Sequence, residues 1–235
     1  MTDDERLKRY RFPKEIIRHV VWLTHRFMLS LKDVSEIMLA RGIEVSYESI
    51  RVWGIKFGPL IDKELKRRAP RRGDKWHLDE VCLVINKKKH WLSRAVDQNG
   101  YELDILLQRH RNQKAAKRFF KHPLKGLQYV PRVIITDKLK SSGAAKRTLL
   151  PWVKHRQHKG INNRAENSHQ STRQQENQMW KFKSPKQAQR FLFLHGQVRN
   201  CFYAGRYKYS ASAVRQALRN AFYCWNEIAL QNQCV

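Results

Sequence analysis

Apolar positions along residues 13–66 recur every three or four residues, the spacing of helices with one buried stripe. In "PKEIIRHVVWLTHRF" the stripe is Ile16, Val20, Leu23 and Phe27. Ser30 then reads as an N-cap, with Asp33 three residues on as its capping-box partner. The helix that follows carries Leu31, Val34, Ile37, Met38 and Leu39 and stops at Gly42. Ser46 opens a further helix, "YESIRVWGIKFGPL", in which Ile50 and Trp53 face inward. From residue 76 the texture changes. "WHLDEVCLVI", "HWLSRAVD" and "YELDILLQ" read as three strands of a meander, joined by turns at "NKKK" and "QNG". "NQKAAKRFFKH" is a helix with Ala115, Ala116, Phe119 and Phe120 inside, and Val133–Thr136 is a fourth strand. A short helix near "GAAKRTLL", an apolar stretch at "WVKH" and two long helices complete the chain, the second capped by Ser184 with Pro185 at its first position.

The order β-β-β-α-β-α-β-α predicts an α/β fold, a mixed sheet with helices on both faces. The run of apolar residues in the first strand suits burial on both sides. The two short N-terminal helices and their Gly-containing turn predict a helix-turn-helix, with a plain helical bundle as the alternative. In a helix-turn-helix the start of the second helix enters the major groove, so Tyr47, Glu48, Ser49 and Arg51 would meet DNA. These patterns divide the chain into a helix-turn-helix domain (1–65), a basic linker (66–74), a mixed-sheet α/β domain (75–210) and a C-terminal tail (211–235).

Charge favours the DNA-binding reading. The 235 residues hold 48 Lys and Arg against 20 Asp and Glu, a formal charge of +28. So basic a chain repels itself unless a polyanion is near, and nucleic acid is the first candidate. No window is apolar enough for a membrane span, and "MTDDERLKRY" is no signal peptide. The four cysteines form no C-x-x-C pair, which argues against a zinc site or disulfide framework and fits a reducing, cytoplasmic setting.

The scarce acids of the second part then need a reason. Asp79 and Glu80 sit inside the first apolar strand, Asp137 ends the fourth, and Glu166 lies near the start of a helix. In this topology the first and fourth strands are neighbours, which would set Asp79 beside Asp137. Crowded carboxylates repel unless cations intervene, and hard oxygen ligands select Mg²⁺ or Mn²⁺. Two such ions, about 3.5–4 Å apart, clamp a phosphodiester for in-line displacement. Adjacent strand residues point to opposite faces, so at most one of Asp79 and Glu80 joins such a site. An ion pair for either acid, and a helix-capping role for Asp137, are the structural alternatives.

At these residues the sequence resembles the DDE transposases of bacterial insertion sequences, in the branch named after insertion sequence six. The marks are "SLKDVSEIMLARGIEVSYESIRVW", "WHLDEV", "AVDQNG", "AAKRFF", "VPRVIITDKLKSSGAAKR" and "HRQHKGINNRAENSHQSTR". The resemblance implies a ribonuclease-H-like catalytic domain with Asp79, Asp137 and Glu166 as catalytic and metal-binding triad, and so selects Asp79 over Glu80. It implies two Mg²⁺ ions (or Mn²⁺), cleavage at terminal inverted repeats, strand transfer into double-stranded target DNA, and replicative transposition through a cointegrate. Synapsis of two ends implies at least a homodimer. Arg173, seven residues after Glu166, stands where such enzymes carry a DNA-contacting cation, and Lys138 and Arg164 are assigned to DNA with it.

The chain departs from the branch in places. Only 28 residues separate Asp137 from Glu166, Ser142 stands where relatives often have an aromatic, and the tail "NAFYCWNEIALQNQCV" is unlike theirs. His155 and His158 are read as DNA-facing or plain loop residues. Two rival functions stay open: a DNA-binding regulator without catalysis, and a nuclease of the same fold acting on RNA–DNA hybrids or Holliday junctions.

Overall fold

The computed structural model describes residues 11–70, 72–137, 140–157, 163–179, 181–203 and 209–230. The side chains of 140–142, 163, 164, 166, 229 and 230 lie outside that description. The chain forms two compact units, Pro70–Phe193 and the combination of Met1–Ala69 with Leu194–Val235.

The second of these is helical. α1 (Lys14–Arg26) buries Ile17, Val20, Val21 and Leu23. Ile16 is thus at the edge of the predicted stripe, and Phe27, just past the helix, is exposed. α2 (Leu31–Leu39) opens with both halves of the capping box: Asp33 N donates to Ser30 Oγ at 3.1 Å and Ser30 N donates to Asp33 Oδ2 at 2.8 Å. The turn after α2 passes through Gly42 at φ +73°, which a Cβ would strain. α3 (Tyr47–Arg68) starts at the predicted cap, Ser46, and buries Ile50 and Trp53. It continues through Pro59 to Arg68, so the first residues of the expected linker are helical. α8 (Ala211–Leu230) occupies the segment set apart as a tail. Its Ala221, Trp225 and Ile228 join the core of α1–α3, and Glu227 accepts from Arg68 Nη1 at 2.5 Å.

The other unit is built on a five-stranded sheet in the order β3-β2-β1-β4-β5. β1 (Lys75–Ile85) and β2 (Lys88–Asp97) form an antiparallel hairpin whose two turn residues, Asn86 and Lys87, both have positive φ, as a primed two-residue turn requires. β3 (Glu102–Gln108) completes the meander. At the second turn Asp97 takes backbone N–H groups from Asn99, Tyr101 and Gly73, so the acid of "AVDQNG" is structural. α4 (Gln113–Leu127), β4 (Val133–Thr136), α5 (Lys140–Leu149) and β5 (Lys154–Gln157) follow, with β4 parallel to both β1 and β5. α6 (Asn163–Gln178) and the first part of α7 (Pro185–Cys201) close the unit, and Gln187 N donates to the predicted cap Ser184.

This is the mixed, ribonuclease-H-like α/β arrangement expected. One sheet face packs Trp76, Leu78, Ala95 and Ile134 against Phe119, Phe120 and Ala145 of α4 and α5. The other packs Val81, Leu83, Leu92 and Ile105 against Ala188, Phe191 and Leu192 of α7. β5 lies at "KHRQ", two residues later than the apolar stretch suggested, and Trp152 before it is exposed. His155 is accordingly a strand residue. Burial, and then the charges of Lys146 and Arg147, lower its pKa.

Candidate active site

β1 and β4 run parallel, and their last paired residues are Leu78 and Thr136. Asp79 is the next residue of β1, and Asp137 directly follows β4. Strand alternation turns Asp79 away from the face that holds Leu78. The β1–β4 pairing therefore ends in register with the residues just before the two acids, Asp79 within β1 and Asp137 directly after β4.

Asp137 is held from its main chain. Thr136 Oγ1 donates to the Asp137 carbonyl at 2.8 Å and lies 3.0 Å from His155 Nε2. A hydroxyl has one proton, so Nε2 is the donor in the second contact. The loop reading of His155 is corrected: it lies on β5 and supports the end of β4. The Asp137 side chain is 35% exposed, and its Oδ2 lies 3.9 Å from Arg111 Nη2.

Asp79 faces α6. Its Oδ2 lies 3.5 Å from His169 Nε2, and the His169 side chain is only 5% exposed. Burial, reinforced by the charges of Arg94 and Arg173, pushes the His169 pKa down to about 3. The imidazole beside Asp79 is thus neutral near pH 7. Glu166 lies in the same helix three residues before His169; its side chain, like that of Arg164, is outside the described residues, as are Lys138 and His158 altogether.

The residue that docks α6 was not singled out by sequence. Arg94, on β2 directly opposite Asp79, is almost wholly buried. Its Nη1 donates to the carbonyl of Ser168, its Nη2 donates to Thr172 Oγ1 at 2.6 Å, and its Nε pairs with Glu102 at 3.0 Å. One guanidinium thereby ties β2, β3 and one turn of α6 together over Asp79. The available signal was an Arg and a Glu at inward positions of neighbouring strands, which alone does not tell a buried pair from solvated charges.

Glu80 lies on the opposite sheet face, as alternation requires. Ser93 Oγ donates to its Oε1 at 3.1 Å and Arg111 Nε donates to its Oε2 at 2.9 Å. In the helical unit Tyr47 is exposed and Ser49 is half-buried at the start of α3. Arg51 is exposed but paired, its Nε 2.8 Å and its Nη2 2.5 Å from the two carboxylate oxygens of Glu48. Arg173 is exposed on α6.

The carboxylates of Asp79 and Asp137 are hard, anionic oxygen donors, the type that fits Mg²⁺ or Mn²⁺. Among the described residues no group of three His, Cys, Asp or Glu side chains converges. Nor is any described helix long and apolar enough to cross a membrane.

Comparison with known proteins identifies the family. A family model described as "DDE domain" matches residues 73–204. The transposase for insertion sequence element IS257 in transposon Tn4003 of Staphylococcus aureus is 31% identical over 167 residues, 68% of this chain and 74% of that protein. The Staphylococcus aureus transposase for insertion sequence-like element IS431mec matches at the same identity and coverage. Among solved structures, a chain of the simian T-cell lymphotropic virus intasome in complex with PP2A regulatory subunit B56 gamma is 13% identical, with a TM-score of 0.39 over 59% of this chain and 51% of that one.

Proposed function

The chain belongs to the DDE transposases of the insertion-sequence-six family, and from that premise we propose that Asp79, Asp137 and Glu166 are its catalytic, metal-binding acids. In this reading the protein cuts the 3′ ends of its element at the terminal inverted repeats and joins each 3′-OH to target DNA, with replicative transposition through a cointegrate. The observation that carries it is the parallel β1–β4 register, whose last pair is Leu78 and Thr136, the residues just before Asp79 and Asp137. Arg94 supports it by fastening α6, the helix of Glu166, above Asp79.

Asp79 and Asp137 would hold Mg²⁺ or Mn²⁺ with Glu166. Bound there, such ions supply Lewis-acid activation of the attacking oxygen and stabilisation of the leaving one. The protein's own part is to position the carboxylates. The Thr136–His155 contact fixes the backbone of Asp137, and the neutral His169 adds no competing charge at Asp79. Tyr47, Ser49 and Arg51 would contact the inverted repeats, Arg51 by exchanging Glu48 for DNA, and Lys138, Arg164 and Arg173 would contact DNA beside the acids. Two protomers would pair the two ends.

The test is Asp137→Asn in the full-length protein. It should fold, melt no lower than the parent without metal, and bind the inverted repeats. It should lose most of the Mg²⁺-induced rise in melting temperature, since only binding to the folded state raises it. Cleavage and strand transfer on labelled end DNA should fall to background. Retention of Mg²⁺-dependent cleavage by this variant would remove Asp137 from the site.

A further inference from the structure

Glu80 and Arg111 take no part in the reading above, yet they touch it. Arg111 precedes Asn112, the N-cap of α4, in the connection from β3. Its guanidinium lies 4.5 Å over the ring of Trp91 on β2. From there it sits between two carboxylates, with Nε 2.9 Å from Glu80 Oε2 and Nη2 3.9 Å from Asp137 Oδ2. The two distances are unequal in a way that matters. The first is a charge-assisted hydrogen bond, and the second is too long for one. Glu80 is also the more enclosed partner, its side chain 12% exposed against 35% for Asp137, and Ser93 holds its other oxygen.

A guanidinium shared between two acids goes mainly to the one that binds it better. We propose that Glu80 sequesters Arg111, holding its charge off Asp137 and so keeping that carboxylate available to a divalent cation. Glu80 is then a positioning residue that sets metal affinity through Arg111, without touching the metal. The inference rests on the reading of Asp137 as a metal ligand. It also explains why this basic chain keeps an acid next to Asp79 on the wrong face for the site. With Glu80 neutral, Arg111 has one carboxylate within reach, and a cation must compete with it there.

The test is Mn²⁺ binding to the full-length protein, read as loss of the free-ion electron paramagnetic resonance signal, with Mg²⁺-induced melting shifts alongside. Glu80→Gln should raise the Mn²⁺ concentration for half-saturation about five- to tenfold, the low end of site-to-site coupling, because Arg111 and Asp137 are partly solvated. Glu80→Gln with Arg111→Gln should return it to within about twofold of the parent, since the competitor is gone. Arg111→Gln alone should bind Mn²⁺ at least as tightly as the parent, and it carries the test if Glu80→Gln fails to fold. An unshifted Glu80→Gln, a double variant as weak as Glu80→Gln, or weakened binding in Arg111→Gln would each overturn the proposal. Asp137→Asn separates this from the parent reading. If it abolishes Mn²⁺ binding while Glu80→Gln changes nothing, only the sequestration fails; if it binds as the parent does, both fail.

Discussion

Arg94 is the residue on which the site's geometry most depends. Its guanidinium, removed from water, is matched by Glu102 and by two acceptors on α6, Ser168 O and Thr172 Oγ1. Truncating such a group leaves its partner charge buried and unpaired, so Arg94→Ala would test folding rather than catalysis. Thr172→Val is the sharper probe. It keeps the shape of a fully buried side chain and removes one acceptor. The lost partner should cost about 1–3 kcal/mol in urea denaturation. Cleavage should fall with it, because the same bond sets α6 over Asp79. Unchanged stability would mean that the Arg94–Thr172 bond does not hold α6 in place.

At the scale of elements, the helices of the N-terminal unit are defined by their ends. Both arms of the Ser30–Asp33 box are formed, so Ser30→Ala should lower stability by about 1 kcal/mol, measurable as a shift in denaturation midpoint. α1 and α7 meet through His25 and His195: His195 Nδ1 lies 2.9 Å from the carbonyl oxygen of His25. Burial, with a smaller push from His195, lowers the His25 pKa from 6.5 to about 3. Below pH 6.5 the unfolded chain takes up a proton at this site that the folded chain refuses, so acid favours unfolding. The stability is present above pH 6.5 and is lost as pH falls toward 3. A His25→Gln variant that folds should show a shallower fall in stability between about pH 6.5 and 5, where carboxylates scarcely titrate. An unchanged slope would locate the acid sensitivity elsewhere.

For the whole molecule the dominant quantity is the charge of +28. If the basic surface binds DNA, counterion release makes affinity fall with salt, by a slope of about −0.9 per neutralised phosphate on logarithmic axes. A slope of about −5 or steeper is expected of a chain this basic; a slope near zero would separate the charge from DNA binding. Arg51→Ala addresses the sequence-dependent part. It should weaken binding to the inverted repeat more than to random duplex, by roughly 1–3 kcal/mol if the side chain reads a base. Equal loss on both duplexes would make it a phosphate contact.

What the sequence by itself determined is what local chemistry controls. Caps at Ser30, Ser46 and Ser184, the turn at Asn86, the order of strands and helices, and a carboxylate at the end of β4 all follow from side chains acting on their own backbone or on a period of two or 3.6. Alternation also dictated that Asp79 and Glu80 oppose each other. It did not dictate which face receives α6, because that depends on how the chain returns to the sheet after β5. Only the tertiary structure decided that Asp79 lies under α6 while Glu80 takes Arg111 on the other side. It likewise decided that Arg94 is an anchor rather than a solvated cation, that His155 supports Asp137, and that α8 packs on the first helices. Each of these is a contact between residues far apart in sequence, and a polar side chain carries no mark of the partner that will compensate its burial.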